Sequence, residues 1–159
     1  MSEMWLAILP HLAHQAAFGA LAAAGFGVLF NFGGRTLLWC TLAGALALAA
    51  RTLVQQFGGS LEAGTFVASL TTSCAAILAQ RWLGPTSSAV ALAGCIPMVP
   101  GAFFGQAMLG YIAVAADTSG TATAQLVAAS QAFVRVVTIV GAIGAGLAIP
   151  AYLMKSRQF

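Results

Sequence analysis

Long apolar runs, each closed by a few glycines or polar residues, recur five times along the chain. They cover about residues 5–30, 36–57, 64–83, 88–115 and 125–153. A helix needs about 20 apolar residues to cross a bilayer, and each run reaches that length. The separators are short: Asn31-Phe32-Gly33-Gly34-Arg35, Gly58-Gly59-Ser60, Gly84-Pro85, and a polar, small-residue segment at 117–123. Such clusters mark turns, and the glycines are expected to supply the tight backbone geometry. The pattern predicts an all-α integral membrane protein of about five transmembrane helices, forming a single transmembrane domain over 1–159, with Trp5 as an interfacial anchor.

Composition agrees. Of 159 residues, 60% are hydrophobic and 6% charged, against about 25% charged in soluble domains. The net charge of +3 comes from scattered residues rather than a basic run, which argues against a nucleic-acid partner. A cleaved signal needs positive charge ahead of its apolar core, and Glu3 is the only charge before Arg35. The first run is therefore expected to be a retained span. Cys40, Cys74 and Cys95 all fall in apolar runs without metal-like spacing and read as small buried hydrophobes. His11 and His14 lie near the outer end of the first run with no third ligand nearby, which favours a structural or interfacial role. No HExxH or GxSxG motif is present. Neither an enzyme, a cofactor nor a metal is expected.

Charge placement gives the orientation. With five crossings, Arg35, Arg81 and the tail Lys155/Arg157 share one face, and Glu3, Glu62 and Asp117 share the other. Lys and Arg accumulate on the cytoplasmic side. The amino terminus is therefore expected outside and the carboxyl terminus in the cytoplasm.

Two arginines fall inside apolar runs, where an ionisable group is costly and usually functional. Arg51 lies six residues before the outer end of its run, roughly 9 Å deep at 1.5 Å per residue. Its stem is long enough to snorkel outward, so it either does that or serves a site. Arg135 lies about ten residues into the fifth run, roughly 15 Å down, near the middle of a core about 30 Å thick. No acid of the chain is well placed to neutralise it, so its counter-charge is expected to be a ligand or a second protein.

The fourth run carries Cys95-Ile96-Pro97-Met98-Val99-Pro100-Gly101. Each proline lacks an amide donor and clashes with the preceding turn. Two of them, three apart, predict an unwound stretch near the midplane and a new half-helix from about Pro100, although a plain kink is the alternative. Freed amides around Gly101, Ala102 and Phe103 suit a carboxylate, and broken helices of this kind mark substrate sites in transporters. Pro97, Met98, Pro100, Gly101 and Ala102 are thus candidate binding residues with Arg135 and Arg51. In the third run Thr65, Ser69, Thr72 and Ser73 share one helix face. Ser69 and Thr72 either line a polar path or bond to backbone and neighbouring helices. Gly19, Ala23 and Gly27, with Gly141, Gly144, Ala145 and Gly146, are expected to mark close helix packing.

Gly25-Phe26 through Phe30-Asn31, then Arg35, Leu38-Trp39-Cys40, Gly44, Arg51, Thr65-Phe66, Ala68-Ser69, Arg81-Trp82 and Ile96-Pro97-Met98-Val99-Pro100-Gly101 together resemble the threonine/serine exporter family. The likeness is to its small, YjjB-type subunit and covers roughly residues 19 to 150. The resemblance implies a half-transporter in the inner (plasma) membrane of a bacterial cell, working with a larger YjjP-type subunit. Its implied cargo is a small carboxylate: threonine, serine or a succinate-like dicarboxylate, exported at the expense of the proton-motive force. Asn31, Arg35, Arg51, Arg81 and the 97–101 segment match the family pattern, whereas Arg135 rests on its depth alone. A non-transporting scaffold subunit and a homo-oligomeric channel are the competing expectations.

Overall fold

The computed structural model describes residues 2–80, 84, 87–117 and 122–155. Arg81, Trp82, Ser156 and Arg157, and the side chains of Glu3, Trp5 and Lys155, lie outside the described residues. Among the described residues every regular element is helical.

The first turn shows why the chain reverses where it does. Helix α1 (Ser2–Leu29) ends with Asn31 at φ 55°, in the left-handed region. The Phe32 amide donates to the Gly27 carbonyl at 3.0 Å and the Asn31 amide to the Val28 carbonyl at 2.9 Å. These two bonds close the helix end and satisfy its last carbonyls. The residue that takes the left-handed conformation is the asparagine, not the glycine pair beside it. Gly33 is extended and simply precedes α2 (Gly34–Gln56). Asparagine tolerates this region better than other side-chain-bearing residues.

Gly58, at φ 83°, closes α2 in the same manner, with Gly58 N–H on Gln55 O and Gly59 N–H on Val54 O. Helix α3 (Leu61–Leu78) then begins on Ser60, whose hydroxyl accepts from the Ala63 amide at 3.1 Å. Glu62 in its first turn complements the positive end of the helix.

The fourth apolar run is two helices rather than one. Helix α4 (Ser87–Cys95) passes into a 3-10 turn at Ile96–Met98, and α5 (Gly101–Ala116) starts afresh. Pro100 stands just before α5 rather than at its first position. Helix α6 (Thr123–Lys155) is 33 residues long. Lone prolines do not break their helices: Pro10 lies within α1 and Pro150 within α6. The pair at 97 and 100 does.

Four helices are long and apolar enough to cross a membrane, at Ile8–Leu29, Gly34–Gln56, Leu61–Leu78 and Thr123–Met154. The broken pair makes a fifth when taken as one span. Large apolar side chains on their outer faces stay uncovered, Leu21 and Leu29 each being 76% exposed. A chain in water rarely tolerates such surface; hydrocarbon welcomes it. The protein is a multi-pass membrane protein.

Two units are distinguishable, one comprising Met1–Met98 with Ala142–Phe159 and the other Val99–Gly141. In the first, α1 and α2 run antiparallel and touch backbone to backbone at Gly19 and Gly44. Gly27 meets Leu37 and Cys40, and Gly94 of α4 packs on Ala43. Between α2, α3 and α4 lies a small core of Cys40, Ala79, Val90 and Ala93, with Phe32, Trp39 and Ala43 against it. The carboxyl-terminal part of α6 joins through hydroxyls: Ser69 Oγ donates to Ala142 O at 3.2 Å and Ser73 Oγ to Leu147 O at 3.0 Å. Gly146 is the residue that allows this approach, because a Cβ there would collide with Ser69 Oγ. Small residues and interhelical hydroxyl bonds are what hold helices together in lipid, where burial of apolar surface drives little.

In the second unit α5 runs antiparallel to the amino-terminal part of α6. A Cβ on Gly110 would lie 2.7 Å from Ala129 Cβ. Tyr111 packs edge-on to Phe133, and its hydroxyl lies 3.4 Å from Ser130 Oγ.

Candidate functional site

Along α1 the residues 11, 15, 19, 23 and 27 recur every fourth position and so share one face. This face meets the 40–44–48–51–55 face of α2. Its lower part is small, with Gly19, Ala23 and Gly27 against Cys40 and Gly44. Its upper part is polar. The Gly19–Gly44 contact fixes the register: His11 lies eight residues before Gly19, and Arg51 seven after Gly44. On antiparallel helices both positions fall about 10–12 Å beyond the crossing, on the same side.

His11, Gln15, Arg51 and Gln55 therefore converge on one recess of about 260 Å³, completed by Leu48, Thr52 and Pro97. That volume suits a small metabolite, being near the lower limit of ligand pockets, about 300 Å³. No acid lines it. The Thr52 hydroxyl is already occupied, donating to Leu48 O at 2.7 Å. Gly64 of α3 supports the arginine stem: a Cβ there would sit 3.1 Å from Arg51 O and 3.4 Å from Arg51 Cγ. The arginine is half-buried and held from behind by backbone.

The proline break supplies the remaining wall. Pro97 faces the recess from the 3-10 turn. Three residues on, Pro100 has φ −81° and ψ 56°, and the Gly101 amide donates back to Val99 O at 2.9 Å. That is an inverse γ-turn, whose central residue prefers values near −75° and +65°. Proline supplies such a φ without cost. The Gly101 amide, which the sequence marks as free for an anion, is thus spent on closing the turn. Gly101 and Ala102 are exposed at the start of α5, while Met98 and Pro100 are buried.

Of the sequence candidates, the structure brings Arg51 and Pro97 together. Ser69 and Thr72 are buried on α3, where Ser69 Oγ bonds Thr65, Phe66 and Ala142 carbonyls and Thr72 Oγ donates to Ala68 O at 2.8 Å. The Ser69 hydroxyl is used in holding two helices together, and the Thr72 hydroxyl in bonding the backbone of its own helix. Gly141 and Gly144 meet nothing within 4 Å of where a side chain would begin, unlike Gly146.

Arg135 belongs to the second unit. Its guanidinium lies 5.3 Å from the Phe103 ring centroid, in an open groove bordered by Gln106, Ser130, Gln131 and Val134. A cation–π contact contributes about 0.5–2 kcal/mol. An arginine at the centre of a membrane helix costs about 2.5–3.5 kcal/mol by insertion scales and more by others. The ring does not offset that cost.

Sequence reasoning did not assign His11, Gln15 or Gln55 to a binding site, and read His11 as structural or interfacial. Each pairs at four-residue spacing with another polar residue, His11 with Gln15 and Arg51 with Gln55, in helices that are otherwise apolar. That spacing places each pair on one face and was the available signal. The model of one protein family, the threonine/serine exporter ThrE, matches residues 15–153. No solved structure matches the chain.

Proposed function

The chain belongs to the threonine/serine exporter family, and from that premise we propose that it is the smaller subunit of a secondary transporter for small carboxylate metabolites. The family is one of transporters rather than enzymes. In this reading the cargo is threonine, serine or a succinate-like dicarboxylate, and a larger YjjP-type subunit completes the machine in the bacterial inner membrane. The amino terminus lies outside and the carboxyl terminus in the cytoplasm.

One observation carries the reading. An arginine within an apolar helix sits in a recess of metabolite size, beside two carboxamides, an imidazole and a helix break, with no acid among the described lining residues. A guanidinium offers a planar fork of donors that matches a carboxylate in two parallel hydrogen bonds. Gln15 and Gln55 add donors and acceptors for a hydroxyl or a second polar end. The bond to carboxylate strengthens where water is excluded. The break at Pro97 gives one wall of the recess backbone that is not locked into a helix ladder, as suits a site opened alternately to either side.

Counterflow of labelled serine, threonine and succinate in vesicles tests this, with and without the larger subunit. Arg51→Ala should abolish saturable uptake. Arg51→Lys, which keeps a point charge but loses the fork, should raise KM at least tenfold. Wild-type KM in both variants rules out the recess as the carboxylate site.

A further inference from the structure

We infer that the groove around Arg135 docks a transmembrane helix of another polypeptide, one that carries a carboxylate near its middle. The proposal rests on the two-subunit reading above and names the surface through which the subunits join.

Depth comes first. Helix α6 spans Thr123–Lys155, so its midpoint is residue 139, and Arg135 lies one turn away. A core about 30 Å thick centred on that midpoint reaches about ten residues either way, so Arg135 is inside it. The groove opens outward rather than enclosing a small volume, and Arg135 on its wall is exposed. Facing hydrocarbon, it would present a cation, two carboxamides (Gln106 and Gln131) and the Ser130 hydroxyl to a medium that bonds to none of them. Val134 and Phe103 supply apolar surface between these polar groups. A polar spine set in apolar walls is the face on which one helix receives another.

The chain's own acids decide what kind of helix. It has three, Glu3, Glu62 and Asp117. Glu3 begins α1, Glu62 lies in the first turn of α3, and Asp117 caps the end of α5. Asp117 is fourteen residues beyond Phe103 on the helix that bears the ring, about 21 Å away along the axis. Every acid therefore sits at a helix end. A second copy of this chain carries no carboxylate near the middle of any helix, so a helix that brings one to Arg135 belongs to a different polypeptide. Pairing removes the cost of the buried cation only if the acid arrives with its own hydrogen-bond partners, and Gln106 and Gln131 stand ready on this side.

The test is co-purification of the full chain with the larger YjjP-type subunit after co-expression. Arg135→Glu should lower the recovered partner at least tenfold per copy of chain. Changing one intramembrane Asp or Glu of the partner to Arg should restore recovery with Arg135→Glu alone. Independently, Gln131→Cys in a chain whose native cysteines are replaced should crosslink to the partner helix bearing that acid. This second measurement leaves Arg135 intact, so it decides the matter if Arg135→Glu does not accumulate. Full recovery with Arg135→Glu, or a Gln131→Cys crosslink between two copies of this chain, or no crosslink to the partner at all, overturns the docking surface while leaving the two-subunit reading standing. Failure of the wild-type pair to co-purify sinks both.

Discussion

Adding one methyl at Gly44 should damage the recess from 10 Å away. An ideal Cβ there falls on the Gly19 carbonyl oxygen and on Ala23 Cβ, and lies 2.9 Å from the Gly19 carbonyl carbon. Carbon atoms settle at about 3.5–4.0 Å, so α1 and α2 must part by close to 1 Å. Neither obstacle is the end of a flexible side chain, so nothing turns aside. Overpacking of this kind costs about 1–3 kcal/mol. Arg51 and Gln55 then stand about 1 Å further from His11 and Gln15. A hydrogen bond to a charged group contributes about 1.5–3 kcal/mol, and 1.4 kcal/mol is tenfold in affinity. Gly44→Ala should therefore raise KM for the carried carboxylate roughly tenfold and lower the melting temperature in detergent. Gly25→Ala is the control, because nothing lies within 4 Å of its added methyl. If the two variants match in both melting temperature and transport, the α1–α2 contact does not set the recess.

Gly64→Ala presses on Arg51 O and Cγ and should weaken transport with a smaller loss of stability than Gly44→Ala, read from KM against melting temperature. Ser69→Ala should cost about 0.6 kcal/mol, and Gly146→Ala more. The double variant should be less harmful than their sum by at least 0.5 kcal/mol, since the hydroxyl is gone, though Leu70 N and Phe66 O remain 2.9 Å from the new methyl. Asn31→Gly should leave thermal stability nearly unchanged, whereas Asn31→Val should cost about 1–3 kcal/mol at φ 55°. Pro97→Ala with Pro100→Ala restores two helical amides and should slow transport at least tenfold without lowering the melting temperature; a wild-type rate rules out a role for the break.

Five apolar runs are legible because crossing a bilayer sets a minimum length, and the helices fall within a few residues of them. The break at 96–100 is legible too, since a proline nitrogen has no proton to give. The turn chemistry is only half visible: Gly58 is left-handed as a glycine there suggests, but at the first turn Asn31 takes that role and Gly33 does not. Depth along single helices drew attention to Arg51 and Arg135 alike. What separates them is partnership, and partnership depends on how α1 lies on α2. That register comes from Gly19 resting on Gly44, a contact between residues 25 apart. Sequence periodicity shows which residues share a face. It does not show which faces meet, so the convergence of His11, Gln15 and Gln55 on Arg51 stayed hidden. Likewise Gly141, Gly144 and Gly146 look equivalent in sequence, and only the last touches a neighbour.

The length of α6 makes acyl-chain length a control variable for this protein. Its apolar stretch Thr123–Met154 has 32 residues, about 48 Å of rod, against a hydrocarbon layer of about 30 Å. Leaning, locally stretching the lipid, or leaving apolar turns among the headgroups each carries a cost that changes with every ångström of membrane. Thicker bilayers relieve that mismatch, so melting temperature and flux should both rise as phospholipid tails lengthen.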